Sequence, residues 1–392
     1  MFFLIAIIYL AFISLGLPDS LMGSAWPAMH KALDVPISYM GIVSTVVIVC
    51  TIISSLLSSR VIKKFGTGAV TAVSVLLSAI GLFGYSASNS LAMLCVWAVP
   101  YGLGAGSIDA ALNNYVAINL KSRHMNWLHC FWGVGTIIGP YIMGACLSDS
   151  GNWQGGYRIV SLIQAAIAVL MFISIPMWKK HSKTGAAVAE DKVSCKITDT
   201  LKTKGVLFML LTFFGYTALE AATGAWASSY LCDFKGISED NAAKFAALFF
   251  LGITFGRLVC GFISDALGDK KLIILGFIGI ISGIVLIMLP VKTDLCALCG
   301  LAVIGIGCAP IYPSLVHSVP SFFGVEKSQS VIGLVMASAY AGAAVIPPLF
   351  GIIAAKTSLV IFPLYILASA LITIVFFVLL YRTLTASPKN IT

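Results

Sequence analysis

The chain has 392 residues, 59% hydrophobic and 10% charged, with mean hydropathy +1.01 and formal net charge +9. Charges this sparse cannot coat a water-facing surface, which excludes an ordinary soluble globule. Apolar runs of about 18 residues or more recur from end to end, the length a bilayer demands.

Twelve spans are expected, at 2–29, 37–59, 67–87, 90–118, 128–147, 155–178, 205–231, 240–263, 271–290, 294–318, 329–354 and 357–381. They are helices, because a barrel would show short alternating segments. The first lacks a basic n-region and a small-residue cleavage site, so no cleaved signal peptide is expected. Span one holds Asp19 and Trp26. In span four Gly102, Gly106, Asp109 and Asn113 fall on one helical face, with Asn114 beside it. The glycines admit a close neighbour. Asp109 and Asn113 then face a cavity, or else a partner that merely holds helices together.

Span five presents Asn126, His129, Gly133, Thr136 and Pro140 on one face, next to span four across a short connector. His129 is either a donor to a carbonyl or a substrate contact. His124 and His181 are expected in solvated loops. Span seven lines up Tyr216, Glu220, Thr223 and Tyr230, with Trp226 alongside. Rings beside carboxylates and amides suit a polyhydroxy ligand: C–H faces stack on rings and hydroxyls need paired donors and acceptors. Trp226 and Trp26 can instead form an interfacial belt. Asp265 ends span eight, where its own helix dipole disfavours it. A neighbouring helix N-terminus or Arg257 would satisfy it, as a latch. Tyr312 and His317 in span ten are further candidates, and Pro310 and Pro313 predict a broken helix there.

The only sizeable polar stretch, 179–204, divides the chain into bundles at 1–178 and 205–392. The halves repeat. Asp19 and Glu220 lie 201 residues apart, Gly102-Leu-Gly104 and Gly305-Ile-Gly307 lie 203 apart, Gly135 and Gly342 lie 207 apart, and Gly66 and Gly268 lie 202 apart. Six spans per half keep both in one orientation, the parallel repeat of a two-bundle transporter. The side holding the termini carries Arg60, Lys63, Lys64, Lys121, Arg123, Lys270, Lys271, Lys327, Arg382, Lys389 and the connector's seven lysines. The opposite loops hold only Lys31, Lys235, Lys244, Lys292 and Lys356, with Arg158 at a span entrance. The termini are therefore expected to be cytoplasmic. The net charge reflects this bias and implies no nucleic-acid partner. Cys296 and Cys299 open an apolar helix and read as small residues, not a redox or zinc pair. No Walker A, nucleophile elbow or zincin pattern occurs, so no enzyme, metal or cofactor is expected.

The loop GFISDALGDKK, with Gly261, Asp265 and Gly268, resembles the GxxxDxxGxxK signature of the major facilitator superfamily. Its first-half counterpart, SRVIKKFGTG, has Lys63 in place of the Asp. GLGAGSIDAALNNYV resembles span four of the fucose:galactose:proton symporter family; YTALEAATGAWASSYL is similar to its span seven and APIYPSL to its span ten. Asn114 stands where that family has proline, and Asp109 is one methylene shorter than the expected Glu. NWLHCFWGVGTIIGP also resembles the span-five Gly-Pro motif of antiporters. The resemblance implies an all-α, twelve-helix membrane protein that takes up sugar with protons, with Asp109 and Asp19 as proton sites and Asn113 on the sugar. Glu220 is the third candidate acid. The expected substrate contacts are Asn113, Asn114, Asn126, His129, Tyr216, Trp226, Tyr312 and Trp26. Asp265, Arg257, Gly261 and Gly268 form the expected gate. A monomer in the plasma or inner membrane is expected, working by alternating access with protons or sodium. The alternative is a drug or metabolite exporter of the same superfamily.

Overall fold

A computed structural model describes residues 2–36, 39–150, 152–181, 197–233, 239–289 and 295–385. Most of the 179–204 connector, and Lys235, Lys292 and Lys389, lie outside the described residues. The described elements are helical. In order they are α1 (Phe2–Asp19), α2 (Leu21–Ala32), α3 (Met40–Phe65), α4 (Thr67–Ser86), α5 (Leu91–Asn119), α6 (Ser122–Ser150), α7 (Trp153–His181), α8 (Ile197–Leu201), α9 (Val206–Asp233), α10 (Glu239–Leu267), α11 (Asp269–Met288), α12 (Leu295–Cys308), α13 (Ile311–Phe323), α14 (Val325–Lys356) and α15 (Phe362–Thr385). Among the described residues, twelve stretches are long and apolar enough to cross a bilayer.

Two spans are broken. The tenth divides at Ala309–Pro310 into α12 and α13, as its prolines predict. The first divides at Ser20, which the sequence reading passes over. Pro18 supplies the cause: it has no N–H for the Ser14 carbonyl one turn earlier. The side-chain amide of Gln164 on α7 donates to that carbonyl instead. Pro140 likewise frees the Thr136 carbonyl, which accepts from the Ser20 hydroxyl at 2.8 Å. Span five starts at Ser122 rather than 128, so His124 lies in a helix and is half-buried rather than solvated.

Internal contacts divide the chain into two compact units. One is Met1–Leu120 with Trp127–Ser194; the other is Lys121–Asn126 with Cys195–Thr392. The first turn of α6 thus belongs with the second unit.

In the first unit α4 packs on α5 and α7, and α3 on α5. Its core gathers Leu21, Trp26, Met29, Tyr85, Met143, Trp153 and Tyr157. Glycines set the helix spacing. A Cβ at Gly102 would strike the Val47 carbonyl of α3, one at Gly104 the Ser74 carbonyl of α4, and one at Gly135 the Ile13 carbonyl of α1. Without side chains the backbones touch, and close packing replaces the hydrophobic drive that lipid cannot supply.

The second unit packs α9 on α14 and α15, and α12 on α10 and α11. The same glycine contacts recur there. Gly305 meets the Phe249 carbonyl, Gly307 the Gly276 carbonyl and Gly342 the Phe214 carbonyl. Each matches its first-unit pair at offsets of 201 to 207 on both partners. The repeat therefore holds at individual backbone contacts. Gly66 and Gly268 turn the chain between helices at φ +81° and +77°, a region essentially closed to residues with a Cβ.

Candidate functional site

Asp19 ends α1 at the break that Pro18 prepares. Gly16, Gly135 and Gly139 let α1 and α6 approach backbone to backbone: a Cβ at Gly16 would collide with the Trp132 carbonyl, and one at Gly139 with the Leu17 carbonyl. That contact brings Trp132 alongside Asp19. Its Nε1–H donates to Asp19 Oδ2 at 2.8 Å. The Tyr101 hydroxyl of α5 donates to Oδ1 at 3.0 Å. Both oxygens are held by neutral donors, and Asp19 is nevertheless exposed. An exposed carboxylate inside a stretch apolar enough to cross a bilayer is expensive in hydrocarbon, which marks it as a candidate functional group.

The second acid is deeper. Asp109 is 4% exposed. Its Oδ1 accepts from Asn113 Nδ2, one turn along α5, at 2.7 Å. Asn113 Oδ1 meets Nε2 of His129 on α6 at 3.0 Å. Phe12 closes on the His129 ring edge-on, with centroids 5.3 Å apart. A carboxylate, an amide and an imidazole thus form a buried chain across two helices. Asn114 is buried beside it. Asn126 is fully buried one turn before His129. Its amide donates to the Ser122 carbonyl at 3.2 Å, and its Oδ1 makes no hydrogen bond.

In the second unit Glu220 faces a cation. Arg257 Nη2 lies 3.8 Å from Glu220 Oε1, with the Arg side chain 4% exposed and the Glu 21%. This corrects the expected gate: Arg257 does not serve Asp265. The two sit eight residues apart on α10, about 12 Å along the axis. Asp265 instead pairs with Arg123 Nε at 3.3 Å and accepts from its backbone N–H at 3.4 Å, at the start of α6. The helix N-terminus named as one option is the one used. Asp269 joins this cluster, accepting from Ser122 and facing His317 Nδ1 at 2.6 Å. Gly261 is buried on α10, and Gly268 shapes the turn between Asp265 and Asp269.

Three aromatic expectations change. The Tyr216 hydroxyl donates to the Cys308 carbonyl at the α12–α13 break, at 2.8 Å and fully buried. Trp226 lies along α14: its Nε1–H donates to the Pro347 carbonyl at 2.9 Å, and its ring packs edge-on against Phe350. Trp26 is 2% exposed, inside the first unit's core, so it belongs to no interfacial belt. Each ring holds helices together. Tyr312 remains partly exposed, its hydroxyl on Met336 Sδ and its ring against Phe213. Cys296 and Cys299 are free thiols.

The sequence reading missed Tyr101 and Trp132. Trp132 lies three residues after His129, on the face already marked, and that spacing was its only signal. Tyr101 lies one residue before the Gly102 face and carried none.

The sequence profile of the Major Facilitator Superfamily matches residues 8–246 and, separately, 208–392. The chain belongs to the major facilitator superfamily. The twelve helices in two repeated bundles are that superfamily's fold, and its members are membrane transporters, so this is an integral membrane transport protein. Over 97% of this superfamily member, the structure is similar to 98% of the Escherichia coli fucose:proton symporter FucP, with TM-score 0.80 and 14% identity. Among curated relatives, Bypass of stop codon protein 6 of Saccharomyces cerevisiae is 23% identical over 286 residues, 66% of this chain and 56% of that protein. The chain thus spans just over half of that relative's length. The glucose/mannose transporter GlcP of Bacillus subtilis is 22% identical over 357 residues, 88% of this chain and 86% of that protein. The multidrug efflux pump SdrM of Staphylococcus aureus is 25% identical over 197 residues, 49% of this chain and 42% of that pump.

Proposed function

We propose that the protein imports a neutral sugar, or a similar small polyol, together with protons. The bundles at 1–178 and 205–392 alternate access around the substrate, with the termini and the 179–204 connector on the cytoplasmic side. The observation that carries this reading is Asp19: an exposed carboxylate inside a span, held at both oxygens by Trp132 and Tyr101. An indole face supports the C–H side of a sugar ring, while a carboxylate accepts from its hydroxyls. Protonation neutralises the carboxylate and makes closure of the surrounding water-filled space cheaper. Asp109, linked through Asn113 to His129, is the buried coupling acid. Resemblance to FucP and GlcP over nearly the whole chain supports sugar as the substrate class.

The test is uptake of a labelled sugar panel into proteoliposomes, under an imposed pH gradient, under a sodium gradient and under neither. At least one sugar is expected to accumulate only with the pH gradient. If none is transported or competes, the sugar assignment is wrong. Gradient-driven loss of a lipophilic cation from the same vesicles would support the exporter reading that the likeness to SdrM suggests.

A further inference from the structure

Between α11 and α15 the second unit leaves an open groove of about 620 Å³. Its walls are aliphatic: Ile274, Ile278 and Ile281 from α11, Ile374 and Val378 from α15. Its floor is a ladder of rings. The Phe277 and Phe377 centroids are 5.5 Å apart, and those of Phe377 and Tyr381 are 4.8 Å apart. The charged groups gather at one end. Lys270 comes from the first turn of α11 and Arg382 from the last turn of α15, with Thr385 beside them. The Lys270 ammonium stands 4.9 Å from the Tyr381 ring centroid, so it leans over the floor of the groove. Lys270 and Arg382 are both exposed.

This arrangement selects among occupants. A sugar gains nothing from an aliphatic slot without hydrogen-bond partners. A helix of another protein would cover the walls equally but leave two cations at one tip. Lys270 is also misplaced for its own helix, since the N-terminal turn already carries positive dipole charge. The N-cap, Gly268, brings no side chain to the amides exposed there. Asp269 of the same turn carries a carboxylate, but it is engaged by Ser122 and His317, so an anion at this end would meet the Lys270 ammonium and the Arg382 guanidinium. A molecule with an anionic head and a long apolar tail fits both parts, and the volume lies in the range of sites that enclose small-molecule ligands.

The geometry points to a specific site for an anionic phospholipid, its phosphate between Lys270 and Arg382 and an acyl chain along Ile274, Ile278 and Val378. Bulk lipid touches every apolar outer face of a membrane protein. Here the two cations and the ring-floored slot coincide at one point. The site lies on α11 and α15, apart from Asp19 and Asp109, and does not depend on which solute is carried.

The test is native mass spectrometry of the purified full-length protein, offered equal amounts of phosphatidylglycerol and phosphatidylcholine with identical chains. The wild type is expected to retain one phosphatidylglycerol with a preference of roughly tenfold or more. Lys270→Gln with Arg382→Gln is expected to bring the preference close to one. Both side chains are exposed, and an unchanged melting temperature in detergent checks folding. Ser282 lines the end of the groove away from the cations; Ser282→Trp, which fills that apolar end, is expected to reduce retention of both lipids alike. Equal retention of the two lipids by the wild type overturns the proposal, and so does a preference that survives the double substitution. A dimer that disappears in Ser282→Trp would assign the groove to a second copy of this chain.

Discussion

The two units share one packing plan and differ at one acid. Gly102, Gly104 and Gly135 touch backbones in the first unit as Gly305, Gly307 and Gly342 do in the second. Asp19 and Glu220 then occupy equivalent places 201 residues apart. Around Asp19 stand Tyr101 and Trp132, whose equivalents at the repeat offsets are Ile304 and Ala339. Around Glu220 stand Arg257, whose equivalent is Ser55, and the Tyr216 hydroxyl, whose equivalent is Leu15. The first unit thus surrounds its acid with neutral donors and leaves it exposed, whereas the second gives its acid a buried cation. A carboxylate with neutral partners can gain and lose a proton without stranding an opposite charge. Taking the Glu220 charge away would leave the Arg257 guanidinium buried without it. From the same scaffold, the first unit has the chemistry of a switch and the second that of a fixed pair.

The largest expected effect separates these roles. Across a pH difference of about two units, coupling to one proton supports up to about a hundredfold accumulation. Asp19→Asn is expected to abolish that accumulation while leaving counterflow of internal for external substrate, because exchange needs no deprotonation. Asp109→Asn, measured alongside, shows whether the buried acid shares the role. Normal accumulation in both variants would mark both carboxylates as structural and remove the contrast between the units.

Second in size is the fixed pair. Glu220→Gln leaves the Arg257 charge buried without its carboxylate, at a cost of about 2–3 kcal/mol in stability, less than a fully enclosed pair because Glu220 is partly exposed. Replacing both, Glu220→Gln with Arg257→Met, should recover most of the loss in a detergent melt. Failure to recover would mean that Arg257 serves more than Glu220.

These contrasts were only partly legible in the sequence. Spans, repeat offsets and glycine faces could be read because they follow from hydropathy and helical period, which lipid enforces everywhere. Asp109, Asn113 and His129 could be read because polar groups stand out in an apolar helix, and the structure joins all three. Tyr101 and Trp132 could not, since an aromatic residue in a span looks the same on a site as in a core. Trp26 looks like a ligand platform in the sequence for the same reason, yet it lies in the first unit's core. Nearness along the chain suggests Arg257 as one of two partners for Asp265, although two helical turns separate them. The break at Ser20 depends on Gln164, 144 residues away, taking the carbonyl that Pro18 frees.

The third prediction tests the shared plan. Gly135→Ala and Gly342→Ala each drive a Cβ into a carbonyl of the helix opposite, Ile13 or Phe214. Backbone cannot move aside as a side chain can, so each should cost about 1–3 kcal/mol. The two losses should agree within about 1 kcal/mol if the contacts are equivalent. A loss in only one unit would show that the repeat stops short of the energetics.

The smallest expected effect concerns Trp226 and asks where the repeat ends. Its equivalent in the first unit is Ala25, and Gly351 beneath its ring corresponds to Gly144. A Cβ at Gly351 would strike the Trp226 ring, whereas one at Gly144 meets nothing within 4 Å. The second unit therefore fills with an indole a cleft that the first leaves open. The ring packs on Phe350, and its N–H is taken by the Pro347 carbonyl, so it locks α9 to α14. Trp226→Ala removes that contact from a half-buried site and should lower stability by about 1–2 kcal/mol. Substrate affinity, measured by calorimetric titration of the purified variant, should stay at the wild-type value. Gly144→Ala should be silent in both assays. A clear loss of affinity in Trp226→Ala with an unchanged melt would return the ring to the substrate site, and would place part of the recognition in the unit that otherwise holds the fixed pair.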